Sequence, residues 1–595
     1  MNWDPSILFK DQEAWEEEFK SVAKEIKTLK KYRGKRQVKQ CLEDVDKYIL
    51  KLRRLSAYSS RLRDTDMANS TTQGMCDRVE KLFSEFGAAT SFVEPELVDL
   101  ISRSFVGRVT EKHIKKFVKE YNIKDQDRNL LKLMESADHL LSDEEEALLS
   151  RVSAFGSNSY NVYSTFTNAE LVFPEIDLPD GEKVRLSNAM YRKYGASQNR
   201  DLRREVFTKF WKTYDQYKCS FSKMLSTQIA YYDFKSKARG YKNSLEKAME
   251  EGDLPVEFYP NLISSVKTHL PVFHDYLGLR KELLGLDKQY YYDIYPELVE
   301  TKGKTYTYKQ AQRIIPRALK PLGHGYCRVL RKALRDDSGW VDVYPKRGKR
   351  SGAYSSSVYG KHPLVLMNYT DDFDSLSTTA HELGHALHSH YSMNTQPFTK
   401  ASYTLFTAEI ASITNEVLLI DYLLENTEDL EQRKFLLAHY LELARSTMFR
   451  QTMFAEFEQT IYNKFEKGQA LTAELLNKTY LKLLREYHGH KDGAMIIDPL
   501  YSIEWAYVPH FYYNFYVFQY VSGFIAANAL VEMIMQEKPA AAKRYIKYLL
   551  KAGGSKDPLD IIKDAGVDMQ SSTPYDLAAN KFKARIDELR KLSQG

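Results

Sequence analysis

The stretch whose residue types and spacing can do chemistry is His381-Glu382-Leu383-Gly384-His385. Two histidines four apart lie one turn apart on the same helix face, so both imidazoles reach one metal ion. The glutamate between them stands beside the metal without binding it. It can act as a general base toward water at an open coordination position. This is the pattern of a zinc peptidase, and it needs a third ligand. A histidine ten residues after His381 would complete one known arrangement, but Tyr391 stands there. Carboxylates remain, and residues 406–424 offer Glu409, Glu416 and Asp421. Glu409 and Glu416 are seven apart and share a helix face. One of them can bind the metal while the other hydrogen-bonds a ligand histidine, and spacing does not choose between them.

Amide hydrolysis also needs donors for the oxyanion of the tetrahedral intermediate. The segment 509–520 is dense in them. A helix over 510–536 would put Tyr513, Tyr516 and Tyr520 on one face, with His510 one turn earlier. With 42 tyrosines in the chain, the same stripe also fits ordinary core packing.

These residues must be positioned by regular elements. Asp371, Asp372, Asp374, Ser375 and Ser377 are capping candidates for a helix that carries the metal motif. Residues 376–390 contain no proline, and Leu383, Ala386 and Leu387 can pack inward. Just upstream, residues 340–369 alternate Val and Tyr among glycines, which predicts a small β-sheet. Its edge strand can pair with an extended peptide or simply pack the site. Trp15, Phe19, Val22, Ile26 and Leu29 draw a helical stripe, and further helical patterns run to residue 153, the last opened by a capping box at Ser142. Pro179-Asp180-Gly181 marks a hairpin between 171–176 and 183–186. A soft boundary near residue 190 then divides an N-terminal helical part, 1–190, from a catalytic part, 191–595, which is helical again over most of its length. The fold class is mainly α.

Composition narrows the partners. At 28% charged and 43% hydrophobic, the chain reads as globular and can bury a large core. A net charge of +6 over 595 residues gives no reason to expect nucleic acid. The basic run 346–350 reads as a solvated loop. Cys41, Cys76, Cys219 and Cys327 form no C-x-x-C pair, which favours a reducing compartment. The start lacks a basic-then-apolar leader, and the apolar window 515–535 is interrupted by Gln519, Ser522, Asn528 and Glu532, as in a buried core helix. The expected location is the cytoplasm, with no membrane partner. Among the other histidines, His388 is expected to pack or meet solvent and His324 to punctuate a helix. His488 and His490 fall in a glycine-bearing loop, read either as plain surface or as a segment able to close over substrate.

The sequence resembles the oligoendopeptidase F branch of the thimet-oligopeptidase-like zinc metallopeptidases. Trp3-Asp4, Glu13-Ala14-Trp15, the hairpin with Asp180-Gly181, residues 354–369 and TAHELGHALH carry the resemblance. So do Ala408-Glu409-Ile410-Ala411-Ser412 with Asn415-Glu416, and the stretch from Ile503-Glu504-Trp505 to Gly523. The resemblance implies one zinc ion per chain on His381, His385 and Glu409, with Glu416 behind the ligands. It implies Glu382 as the base, and His510 with Tyr513 and Tyr520 as contacts to substrate or oxyanion. It further implies a multi-helical zincin-like fold with a deep channel, and internal cleavage of short unfolded peptides by metal-activated water. Rival readings are a carboxypeptidase on a related scaffold and a peptide-binding protein without turnover. Cobalt or manganese would also suit His and carboxylate ligands.

Overall fold

Apolar stripes with helical period dominate the chain, and the computed structural model is accordingly mainly helical. It describes residues 2–105, 108–153, 155–299 and 304–594. Trp15, Val22, Ile26 and Leu29 are all buried, as their spacing predicts. The backbone tightens from α-helix (Gln12–Glu25) to a 3-10 helix (Ile26–Tyr32) along the stripe. The capping box at Ser142 forms: Glu145 N–H donates to Ser142 Oγ, and Glu145 Oε2 accepts from Ser142 N–H.

The chain forms two compact units, each assembled from three stretches. The first comprises Met1–Glu146, Gly303–Tyr422 and Leu530–Val567; the second comprises Ala147–Lys302, Leu423–Ala529 and Asp568–Gly595. The compact units therefore interleave along the chain, whereas the boundary near residue 190 follows chain order.

In the first unit the N-terminal helices share one core with a three-stranded sheet. Trp15, Leu52 and Leu55 pack in the same cluster as Val358, Leu364 and Leu366. The central strand Leu364–Leu366 is buried along its whole length. It is parallel to Val341–Asp342 on one side and antiparallel to Tyr354–Ser356 on the other. Strand Tyr354–Ser356 is thus a sheet edge, as expected from the sequence. The basic run 346–350 is not wholly solvated. Lys349 is buried and pairs with Asp342, also donating to the Tyr344 carbonyl at 2.8 Å. A buried lysine is tolerated there because its three donors find acceptors.

In the second unit the expected hairpin forms with strands Glu175–Asp177 and Lys183–Arg185, and Gly181 supplies the positive φ of the turn. The loop expectation for His488 fails. Its ring is buried, edge-on to Phe273 and Tyr291, and burial pushes it down to about 3. Gly489 and Gly493 just after it read as loop, but the ring's apolar body finds an aromatic pocket. His490 lies beyond it, with Nδ1 accepting from Ile497 N–H at 3.1 Å.

Among the described residues one helix, Phe518–Glu537, is long and apolar enough to cross a membrane, and 72% of its apolar window is buried inside the protein. All four cysteines are free thiols.

Candidate active site

Helix Phe373–Met393 carries His381, Glu382 and His385; helix Leu405–Glu425 carries Glu409 and Glu416. Of the capping candidates, Asp372 takes the position, its side chain accepting from Ser375 N–H at 2.7 Å. The two helices cross at Gly384. A Cβ there would lie 2.6 Å from Ser412 Cα and 2.7 Å from the Ala411 carbonyl oxygen. Both are backbone atoms that cannot swing aside, so the motif's glycine is what lets the helices approach. Beside the crossing, Asn415 Nδ2 donates to the Ala380 carbonyl at 2.9 Å while Tyr326 donates to Asn415 Oδ1 at 2.9 Å.

The crossing brings three ligand atoms together. His381 Nε2 and His385 Nε2 are 3.2 Å apart, and Glu409 Oε2 lies 3.6 and 3.8 Å from them. Nitrogen and oxygen ligands about 2.0–2.1 Å from one tetrahedral ion stand ~3.4 Å apart, a value these edges bracket. Among the described residues this is the group of His, Cys, Asp and Glu able to hold a metal; Asp421 is not in it. Glu416 Oε1 contacts His381 on the other ring nitrogen, Nδ1. Such a carboxylate fixes the tautomer and turns the Nε2 lone pair toward the ligand group.

Electrostatics match a cation site. Burial lowers the His381 ring, but Glu416, with Glu409 and Glu382 behind it, outweighs this and raises the ring to about 9. Burial and the neighbouring His381 push His385 down to about 4. The three carboxylates around His381 thus favour positive charge at this place, which suits a divalent cation. Burial pushes Glu382 up to about 7, opposed by His381 and by a hydrogen bond from the Ser355 backbone. Glu382 Oε2 is buried with no hydrogen-bond partner, so it is open to a proton donor.

The small sheet explains the Ser355 contact. Val365 N–H donates to the Trp340 carbonyl, which turns that residue's backbone away from its cross-strand partner Ser355. In an antiparallel pair, Ser355 N–H then points out of the sheet edge, where Glu382 takes it. Sequence patterning placed a strand here but could not say which amide faces out.

The His510 segment lies in the second unit, and here the helical expectation is overturned. Residues 509–512 form a 3-10 turn, Asn514 and Phe515 take left-handed backbone (φ 49° and 56°), and α-helix begins only at Phe518. Tyr513, Tyr516 and Tyr520 therefore do not share a helix face. They gather around His510 by another route, with ring centres 5.8, 6.0 and 5.7 Å from the imidazole. Tyr520 OH lies 3.4 Å from His510 Nε2, whereas Tyr513 OH donates to Tyr160 at 2.9 Å. Burial lowers the His510 ring, which favours its neutral form. Two consecutive left-handed non-glycine residues are strained. The buried Glu458 holds them: its Oε1 accepts Phe515 N–H at 2.7 Å, and the Phe515 ring sits against Tyr462 and Tyr259. Burial pushes Glu458 up to about 8. No sequence signal marked it, since a glutamate in a helical run reads as surface.

His388 is not in the ligand group; it is buried and stacks on Tyr403 at 3.7 Å. His324 opens helix His324–Ala333 after Gly323 at φ 93°, as expected.

Comparison with known proteins agrees with this geometry. The profile described as peptidase family M3 matches residues 194–581, and that described as oligopeptidase F matches residues 106–173. Oligopeptidase PepF of Bacillus subtilis is 39% identical over 99% of this chain and 87% of its own length. Group B oligopeptidase PepB of Streptococcus agalactiae is 35% identical over 99% of this chain and 96% of its own length. The crystal structure of oligoendopeptidase F from Enterococcus faecium superposes with a TM-score of 0.74 at 31% identity, covering 98% of this chain and 99% of that one. Two paired helices that bring His381, His385 and Glu409 together as a group able to hold a metal, in a chain matched over nearly its whole length, lead to one assignment: the chain belongs to peptidase family M3, as a metallo-oligopeptidase of the oligoendopeptidase F branch.

Proposed function

We propose that the protein is a zinc-dependent endopeptidase that cleaves internal bonds of short oligopeptides with Glu382 as general base. The observation that carries this reading is the Nε2, Nε2, Oε2 triangle with the unpartnered Glu382 Oε2 on the adjoining residue. Zinc on His381, His385 and Glu409 supplies Lewis acidity toward a carbonyl and lowers the pKa of water. Glu382 Oε2 takes the proton of the attacking water and passes it to the leaving amine nitrogen. Burial raises its affinity for a proton, which suits a base. Glu416 holds His381 in the ligating tautomer. Neutral His510 with Tyr520, and Tyr513 beside them, are the proposed donors to the oxyanion; their clustering supports this role.

The outer edge of strand Tyr354–Ser356 is the proposed place for an extended peptide, whose recognition through backbone groups would be tolerant of sequence. The division into 1–190 and 191–595 stays part of the proposal; the M3 match, which begins close to that point, supports it. Free cysteines favour the cytoplasm as its place.

The test is hydrolysis of an internally quenched peptide blocked at both ends, before and after chelation and zinc restoration, with a folded protein as a second substrate. Internal cleavage of the peptide alone, stopped by chelator and restored by zinc, is the expected result. Cleavage restricted to free C-termini would replace this reading with a carboxypeptidase. Zinc bound without turnover would leave a peptide-binding protein.

A further inference from the structure

Tyr513 is 40% exposed, yet its hydroxyl and the backbone on both sides of it are fixed. Before it, the Tyr512 carbonyl accepts from Tyr232 OH at 3.1 Å; after it, Phe515 N–H donates to Glu458 at 2.7 Å. The hydroxyl meets Tyr160 OH at 2.9 Å, and the two rings stand 5.3 Å apart. An exposed tyrosine ordinarily leaves its hydroxyl to water, and a hydrogen bond that merely replaces one to water adds little to stability. The fold gains little from pairing these two hydroxyls.

Tyr160 is itself held in place. Its helix, Asn158–Thr165, is tied to helix Lys218–Ala238, where Ser159 Oγ donates to the Met224 carbonyl. Just ahead of the helix, the Gly156 carbonyl accepts from Gln228 Nε2 at 2.9 Å. The buried Tyr163 ring stacks on Tyr512 at 4.7 Å, and the Tyr160 ring lies 6.0 Å from Tyr512. All of these residues belong to the second unit. Both hydroxyls therefore sit on side chains with little freedom to turn away from each other.

Two hydroxyls that face each other share one hydrogen bond and leave one proton over. When Tyr513 donates, the free proton is on Tyr160. When both O–H bonds turn, Tyr160 donates and the Tyr513 proton is free for another acceptor. A hydroxyl that is itself accepting a hydrogen bond is the stronger donor, because the chain polarises. Burial and the Tyr160 contact both favour the protonated form of Tyr513, so this donor keeps its proton.

We propose that Tyr160 is a positioning residue for the oxyanion group: it donates to the Tyr513 hydroxyl and so turns the Tyr513 proton toward the developing charge. This rests on the reading of His510, Tyr513 and Tyr520 as the donors. It also draws a residue of the N-terminal part, 1–190, into the reaction.

The test is a double-mutant cycle of Tyr160→Phe and Tyr513→Phe, read as kcat and KM on the quenched peptide blocked at both ends, with metal content measured for each protein. Phenylalanine at either position keeps the ring contacts and removes one oxygen, so every variant should fold. Tyr513→Phe should lower kcat about tenfold or more, as one of several oxyanion donors. Tyr160→Phe should lower kcat about three- to tenfold with KM and metal content unchanged, and should add nothing to Tyr513→Phe. A ring with only a packing role would leave kcat where it is. Wild-type kcat in Tyr160→Phe, a loss carried in KM, or losses that multiply in the double variant would each overturn the proposal. Failure of the underlying reading looks different: Tyr513→Phe would then turn over at the wild-type rate, or the wild type would not cleave the peptide.

Discussion

The His381 helix and the His510 segment each gather histidine with polar partners, but on opposite kinds of backbone. The first is regular helix on both sides of the crossing, held by a glycine too tight for any Cβ and by Asn415 on the Ala380 carbonyl. The second is a 3-10 turn followed by two left-handed residues, held by one buried acid on Phe515 N–H. A ligand triangle must be rigid to a few tenths of an ångström, and paired helices provide that. Groups that meet a developing charge need a particular direction, and an irregular turn can aim side chains where no helix face would. The two regions should therefore fail differently when altered.

The largest effect is expected at the ligands. His385→Ala or Glu409→Ala should remove both bound metal and activity, read by metal content and peptide turnover together. Retained stoichiometric metal in Glu409→Ala would break the assignment of the third ligand. Next, Glu382→Gln should keep the metal and lower kcat by about 10²–10⁴-fold, the usual worth of a positioned base. Normal turnover by that variant would end the proposed mechanism.

In the second region, His510→Ala should cost ~10²-fold in kcat with metal content unchanged, as for loss of one oxyanion donor. If metal were lost as well, the contrast between the two regions would collapse. Gly384→Ala tests the helix crossing. Overpacking against backbone should destabilise by about 1–3 kcal/mol and weaken zinc binding, visible as a lower Tm and a raised metal Kd. A variant with wild-type Tm would show that the helices can separate without cost.

The smallest effect concerns Glu458 and pH. Its folded-state pKa, raised to about 8, lies above the unfolded value of 4.5, so the folded state binds the extra proton between those values. Stability from this group is full below about pH 4.5 and falls as pH rises toward 8. Glu458→Gln keeps an acceptor for Phe515 N–H and carries no proton to lose. Its Tm should therefore decline less than that of the wild type between pH 5 and 8, and parallel curves would remove Glu458 as the pH-sensitive group.

Much of the first region was legible because helical geometry converts spacing into position. His381, Glu382 and His385 needed only the four-residue step, and Glu409 with Glu416 only a shared face. Spacing left the choice between the two acids open, since both lie on the face toward the histidines. In the folded chain Glu409 meets Nε2 and Glu416 meets Nδ1 of His381, which supports Glu409 as the proposed third ligand. The helix read across 510–536 failed at its start because Asn514 and Phe515 carry no glycine or proline to announce positive φ. The strain is absorbed by Glu458, 57 residues earlier in the chain.

The sequence by itself determined the mainly helical fold, the small sheet, the helical step that sets His381 and His385 on one face, and the membership in a peptidase family, because each rests on local periodicity or a contiguous motif. Tertiary structure alone decided which amide of the edge strand meets Glu382, why the motif needs its glycine, where Lys349 and His488 are buried, and that Tyr160 meets Tyr513. Apart from Lys349, whose partner Asp342 is a near neighbour in the chain, those are pairings between residues tens to hundreds of positions apart. They are fixed by packing and by the satisfaction of buried polar groups, which no local pattern encodes.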